Sequence, residues 1–282
     1  MIEEILIGGL ILGGEYALLA LGFSLISGVA RIMNFALGAF YMLTAYMIYS
    51  ALSLGYGTAI IISLITIIVI SLVVYKVLVG PLREKEAEAA LVTLALAMLI
   101  QELVKLIWGP DYKSIPNDIE GTVVLLGVRV SDQRVLALLV TIFLFVALSL
   151  FIKRTKTGKA IRAVSQNIDV ARLVGINVSR ILMISMGISA LLAGLAAVFF
   201  VPLAGAFSPT DWAILFQAFP AIVLGGLGSL KGSVVGSFII AYIETIVAFT
   251  LGGGYLMQTV TFVIMLSVLL IKPSGLFGKP SK

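Results

Sequence analysis

Residues 153–180, KRTKTGKAIRAVSQNIDVARLVGINVSR, hold seven of the chain's nineteen basic residues and lie between two long apolar runs. A connector between neighbouring helices needs only a few residues. This one has length for two short helices and a strong positive charge. The side of a bilayer on which it lies sets the direction of every other segment.

The runs that flank it are typical of the chain. Of 282 residues, 61% are hydrophobic and 12% are charged, whereas soluble domains are about 45–50% apolar. Apolar stretches of about 20 residues, enough to cross a hydrocarbon core of about 30 Å at about 1.5 Å per residue, recur from end to end. An integral membrane protein follows, organised as one transmembrane domain over 1–282 with no length left for a soluble one. The first run follows Met1-Ile2-Glu3-Glu4, which is acidic where a secretory signal is basic, so a retained helix is expected. Without cysteine or histidine there is no disulfide, thiolate or iron–sulfur site and no imidazole ligand or shuttle.

Nine spans are expected, at 5–29, 34–54, 58–79, 89–108, 135–152, 181–202, 212–229, 233–251 and 255–272, in an all-α polytopic bundle of eight to ten helices. The seventh is the irregular one, because FQAFPAIVLGGLGSLKG at 216–232 combines Pro220 with a glycine cluster and suits a short or broken helix. If all nine cross, fifteen lysines and arginines fall on one side and only Lys105, Lys113, Arg129 and Arg134 on the other. The positive-inside rule then puts the N-terminus outside and the C-terminus and the 153–180 segment in the cytoplasm. The net charge of +5 is mostly this topological signature, which removes the case for a nucleic-acid partner.

On the outer side, 109–134 is the longest polar stretch. VVLLGVRV at 123–130 has the β-branched content and central glycine of a small hairpin. It suits a lid over helix ends or, with Asp111, Asp118, Glu120 and Asp132 as an acidic face, a docking surface for an external partner. In the basic segment, Asp169 stands near the start and Gly175 just past the end of an expected amphipathic helix. Ile168, Ala171, Leu173 and Val174 would supply its apolar contacts, with Arg162, Arg172 and Arg180 outside them. Such a helix fits a partner's groove or lies on anionic lipid headgroups.

The segment resembles the cytoplasmic coupling loop of ABC-transporter permeases, whose EAA-then-glycine pattern is matched by Asp169, Val170, Ala171 and Gly175. The Ile-x-Leu-Pro of the maltose-like class is absent, since Ile184 is followed by Ser185 and Met186. GEYALLALGFSLISGVARIMNFALGAFYMLTAYM at 14–47, AFPAIVLGGLGSLKGSVVGSFIIAYIET at 218–245 and KPSGLFGKP at 272–280 resemble branched-chain amino acid permeases of the LivH type over nearly the full chain. Asn34-Phe35, Gly225-Gly226 and 273–278 carry that resemblance most specifically. Leu37 stands where the family leads one to expect a histidine before Gly38, and that histidine's role is not carried over. The resemblance implies a type II importer permease in the cell membrane, two cytoplasmic ATPases that bind ATP and magnesium, a second permease, identical or paralogous, and an external substrate-binding protein. It also implies that Asp169, Ala171, Arg172, Gly175 and Arg162 couple to the ATPase.

The residues themselves add the following. Gly8, Gly9, Gly13 and Gly14, like Gly232 and Gly236, give small faces that let helices approach closely in lipid. Gly225, Gly226 and Gly228 would interrupt a helix, which at membrane depth is tolerated where it lines a cavity or is buried in protein. Glu15 and Glu244 fall mid-span with no lysine or arginine at matching depth, and serve either a pathway or a buried hydrogen bond. Gln217 and Gln258 are weaker candidates of the same kind, and Asn34 suits a cap of the second helix more than a pathway contact. No stretch fits G-x-x-x-x-G-K-[ST], so ATP binding is expected on a separate subunit, with no cofactor in this chain. The expected function is ATP-driven import of branched-chain amino acids. Urea, short amides or other amino acids within the same class, and a stand-alone proton-coupled carrier using Glu15 or Glu244, are the alternatives.

Overall fold

The computed structural model describes residues 2–83, 85–116, 121–125, 127–204, 207–210, 212, 214–251, 254–272 and 274–278. Asp118, Glu120, Pro273 and Lys279 of the stretches above lie outside them, as do Lys282, which is among the fifteen basic residues counted on one side, and the side chain of Gln258. The described chain is helical apart from one hairpin and one isolated bridge.

The expected spans form helices whose ends move by a few residues. They are α1 (Ile2–Ala30), α2 (Ala36–Ala51), α3 (Tyr56–Val74), α4 (Glu86–Trp108) and α5 (Asp132–Arg154), followed by α8 (Val178–Ala204), α9 (Ile214–Gly225), α10 (Leu230–Leu251) and α11 (Gly254–Ile271). A 3₁₀ turn, Leu52–Leu54, extends α2, and a widened turn, Tyr75–Val79, extends α3. The basic segment holds two further helices, α6 (Lys156–Gln166) and α7 (Ile168–Leu173). Among the described residues, seven helices are long and apolar enough to cross a membrane, and two shorter apolar ones lie at Ile214–Gly225 and Thr259–Ile271.

Burial separates centre from rim. The apolar windows of α1 and α8 are 61% and 67% buried, whereas those of α4 and α5 are 22% buried and present Leu91, Met98, Leu99, Leu139 and Phe143 outward. Helices that expose leucine and phenylalanine on one side and pack on the other are what a lipid solvent selects. α1 forms the axis, packing on α10, α8, α5 and α9. Its glycines make that possible: a Cβ at Gly9 or Gly13 would run into the ring of Tyr242 or Phe238 on α10.

On the 109–134 side, β1 (Thr122–Leu125) pairs antiparallel with β2 (Val128–Ser131) around Gly127, whose φ of +83° a glycine tolerates without strain. The expected hairpin is present. Lys113 and Phe207 exchange backbone hydrogen bonds of 2.9 and 2.8 Å beside it.

Candidate functional site

Three places carry the candidate residues: the α6–α7 segment, the break after α9, and the polar groups within the bundle.

The α6–α7 segment is fastened by caps. Thr155 Oγ1 accepts from the Gly158 amide at 2.9 Å and starts α6, which turns Gly158, Ile161 and Val164 inward. Asn167 Oδ1 accepts from the amides of Asp169 and Val170 at 2.9 and 3.1 Å and starts α7. Gly175, at φ +80°, ends it, with Ile176 N–H reaching the Ala171 carbonyl at 3.0 Å. The expected single apolar face divides in two. Ala171 is buried at 2% exposure, while Val170, Leu173 and Val174 are 54, 69 or 86% exposed, Leu173 the most. Positions 171 and 173 lie about 200° apart on a helix, so they cannot share a face. Arg162 and Arg180 are exposed, and Arg172 forms an exposed pair with Asp169 at 3.6 Å, worth a few tenths of a kcal/mol.

Behind α7 lies a cavity of about 410 Å³ whose walls include Arg31, Arg83, Glu86, Asp169 and Arg172. Arg31 ends α1 at φ +56°, the one non-glycine in the left-handed region among the described residues. Sequence spacing gave no sign of this convergence, because it arises where the ends of α1, α4 and α7 meet.

The break after α9 is built from backbone crossings. α9 spans twelve residues, about 18 Å, too short to cross alone. Ahead of it in the chain the Phe207 ring meets Tyr46 and Tyr49 on α2, and within it Phe216 stacks on Phe35 at 5.8 Å. A Cβ at Gly225 would fall on the Gly232 carbonyl, and one at Gly38 on the Trp212 carbonyl. Gly226 (φ +99°) and Gly228 (φ +80°) make the turn into α10, with Gly228 against Gly28 of α1. The tail seals the break, since Leu276 and Phe277 donate their amides to the Leu224 and Gly225 carbonyls at 2.8 and 3.1 Å. Those carbonyls, free at a helix end, thus find donors. Gln217 on α9 is exposed.

Within the bundle the two carboxylates differ. Glu244, 4% exposed, accepts from Tyr16 at 2.8 Å and Thr261 at 2.7 Å, tying α10 to α1 and α11. Glu15 accepts from Tyr41 at 3.1 Å and lines a cavity of about 250 Å³ that Arg134 also lines. A basic residue is therefore within the same cavity after all; it enters from the first turn of α5, which residue-depth counting along separate spans did not reveal. Asn34 is fully buried and is not the expected cap residue of α2, since Phe35 holds that position without a side-chain bond; Asn34 Oδ1 accepts from the Ala36 amide at 3.1 Å just ahead of the helix, and its Nδ2 faces Met186 Sδ at 3.1 Å.

A polytopic helical bundle with a capped basic helix pair and a broken short helix defines a membrane permease. The family described as branched-chain amino acid transport system / permease component matches residues 5–271, and the chain belongs to it. The chain is 31% identical to the high-affinity branched-chain amino acid transport system permease protein BraD of Pseudomonas aeruginosa, covering 98% of this chain and 95% of that one. Against LivH of Escherichia coli the identity is 29% over 96% and 94% of the two chains, and against a probable LivH of Methanocaldococcus jannaschii it is 28% over 98% and 92%. Among solved structures, PsaBC from Streptococcus pneumoniae in complex with Fab shares the fold, with a TM-score of 0.52 at 13% identity over 97% and 94% of the two chains. The protein is a multi-pass permease component of the cytoplasmic membrane.

Proposed function

We propose that the chain is one of two membrane-spanning subunits of an ATP-driven importer for branched-chain amino acids, with its N-terminus outside, its C-terminus inside and nine crossings, α9 belonging to the seventh. The observation that carries the coupling half of this reading is the split of α7. Ala171 is buried against the bundle, while Val170, Leu173 and Val174 stand exposed on a segment capped at both ends. Exposed apolar residues on a short rigid helix serve as anchors for a partner's groove. A cytoplasmic ATPase, holding ATP and magnesium, is that partner, and the chain supplies no nucleotide site of its own. The full assembly adds a second permease, identical or related, and an external binding protein that delivers the substrate.

In this mechanism, closure of two ATPases moves α6 and α7 as one body, because Thr155, Asn167 and Asn177 cap α6, α7 and α8 in succession. α8 carries the displacement into the bundle core. Substrate and nucleotide can influence each other only through such differential contacts in two states. The substrate class is supported by the family and by the transport function of BraD and LivH.

Co-expression with candidate ATPases, a second permease and a binding protein tests the reading. An ATPase subunit is expected to co-purify in stable stoichiometry through mild detergent, and leucine, isoleucine and valine to be taken up by the reconstituted complex. A permease that purifies free of any nucleotide-binding subunit would sink the proposal.

A further inference from the structure

The cavity beside Glu15 has the chemistry of a free amino acid. Gly8, Ile11, Leu12 and Glu15 line it from α1. They are spaced i, i+3, i+4, i+7, one continuous helix face about 10 Å long. Across from them stand Phe200 and Leu203 at the end of α8, and Arg134 at the start of α5. The walls are therefore apolar, with a carboxylate at the deeper end of the α1 face and a guanidinium from α5. Tyr41, itself buried, donates to Glu15 and fixes that carboxylate from behind. The volume of about 250 Å³ leaves room for a small ligand.

We infer that this cavity is a transit site for a zwitterionic aliphatic amino acid: Glu15 takes the ammonium group, Arg134 the carboxylate, and the aliphatic side chain lies against Ile11, Leu12, Phe200 and Leu203. A few convergent polar groups in an apolar pocket fix a ligand's orientation, and a guanidinium matches a carboxylate in a paired geometry. The site is on the outer half of the bundle in the proposed orientation, so it receives substrate from the outside. A neutral amide such as urea lacks both charges and would gain nothing from the pair, which separates the amino-acid reading from the amide one. The inference rests on the importer reading given above.

The absence of cysteine from the chain makes the test direct. Ala204, exposed on the cavity wall, is replaced by cysteine (A204C) in the assembled complex, and the rate of maleimide labelling of that thiol is measured. Leucine at about four times its Kd is expected to slow labelling about fivefold, as about 80% occupancy requires by mass action. Isopentylamine and 4-methylpentanoate, each lacking one charged group, are expected to change it by less than about twofold. In the E15Q and R134Q backgrounds leucine protection, taken relative to each variant's own ligand-free rate, should disappear. Protection that is equal for leucine and the two analogues, or that survives both substitutions, overturns the inference. So does an unchanged rate in a complex that still imports leucine, an outcome that leaves the importer reading standing. A complex that imports no leucine at all removes the importer reading and this site with it.

Discussion

Replacing Leu173 with aspartate is expected to lower ATP-driven uptake about thirtyfold while leaving the permease folded. Leu173 is 86% exposed, so the substitution removes no contact within the chain, and the melting temperature of the isolated permease should stay within the small range of surface changes. A charge placed among the exposed apolar residues at the end of α7 loses the burial the leucine would have gained and leaves an ion unpaired in the interface. An interface residue of that kind costs about 2 kcal/mol or more, which is roughly thirtyfold in docking. Retention of the ATPase on the purified complex and uptake into vesicles measure the two consequences. Arg162→Gln, on the exposed face of α6, provides the contrast: a rim charge should change docking several-fold at most. If L173D retains both ATPase and uptake, α7 is not the anchor.

Valine at Gly225 is expected to abolish the folded protein rather than its coupling. The Cβ would fall on the Gly232 carbonyl, and Gly236 stands as close to the Ala221 carbonyl, so α9 and α10 meet backbone to backbone. Neither partner can yield, since both are main chain, and overpacking of such a site costs about 3 kcal/mol or more. That is a large share of a membrane bundle's margin. The yield of monodisperse protein in detergent is the measure. Gly57→Ala serves as the matched control: nothing lies within 4 Å of its Cβ, and a helical alanine is favoured over glycine by about 0.5–1 kcal/mol. Normal yield from G225V would show that the α9–α10 crossing is looser than the glycine contacts imply.

The sequence disclosed the fold well wherever the cause is local. The end of α7 is legible because Gly175 stands just past a short apolar run, whereas its N-cap Asn167 was not singled out, and the hairpin is legible because Gly127 sits between two β-branched stretches. The α9 break was visible in the crowding of Gly225, Gly226 and Gly228 beside Pro220. What the sequence misjudged is the direction of side chains: Ala171 and Leu173 look alike as apolar residues, yet one is buried and the other faces out. What it concealed depends on helices distant in the chain. Arg134 comes to the cavity of Glu15 through the packing of α5 on α1, and Tyr16 and Thr261 come to Glu244 through α1 and α11. The tail at 274–278 resembled a family signature, and its job of closing the free carbonyls of α9 appears only once the two ends of the helix pair are side by side.

Uptake by the complete complex in sealed vesicles, with ATP supplied only on the α7 side, tests coupling most directly. Leucine accumulation is expected to require that ATP, to persist when a protonophore collapses the proton gradient, and to vanish when the ATPases are omitted. Accumulation that continues without the ATPases and stops with the protonophore would contradict the importer, and would make Glu15 or Glu244 the groups of a proton-coupled carrier.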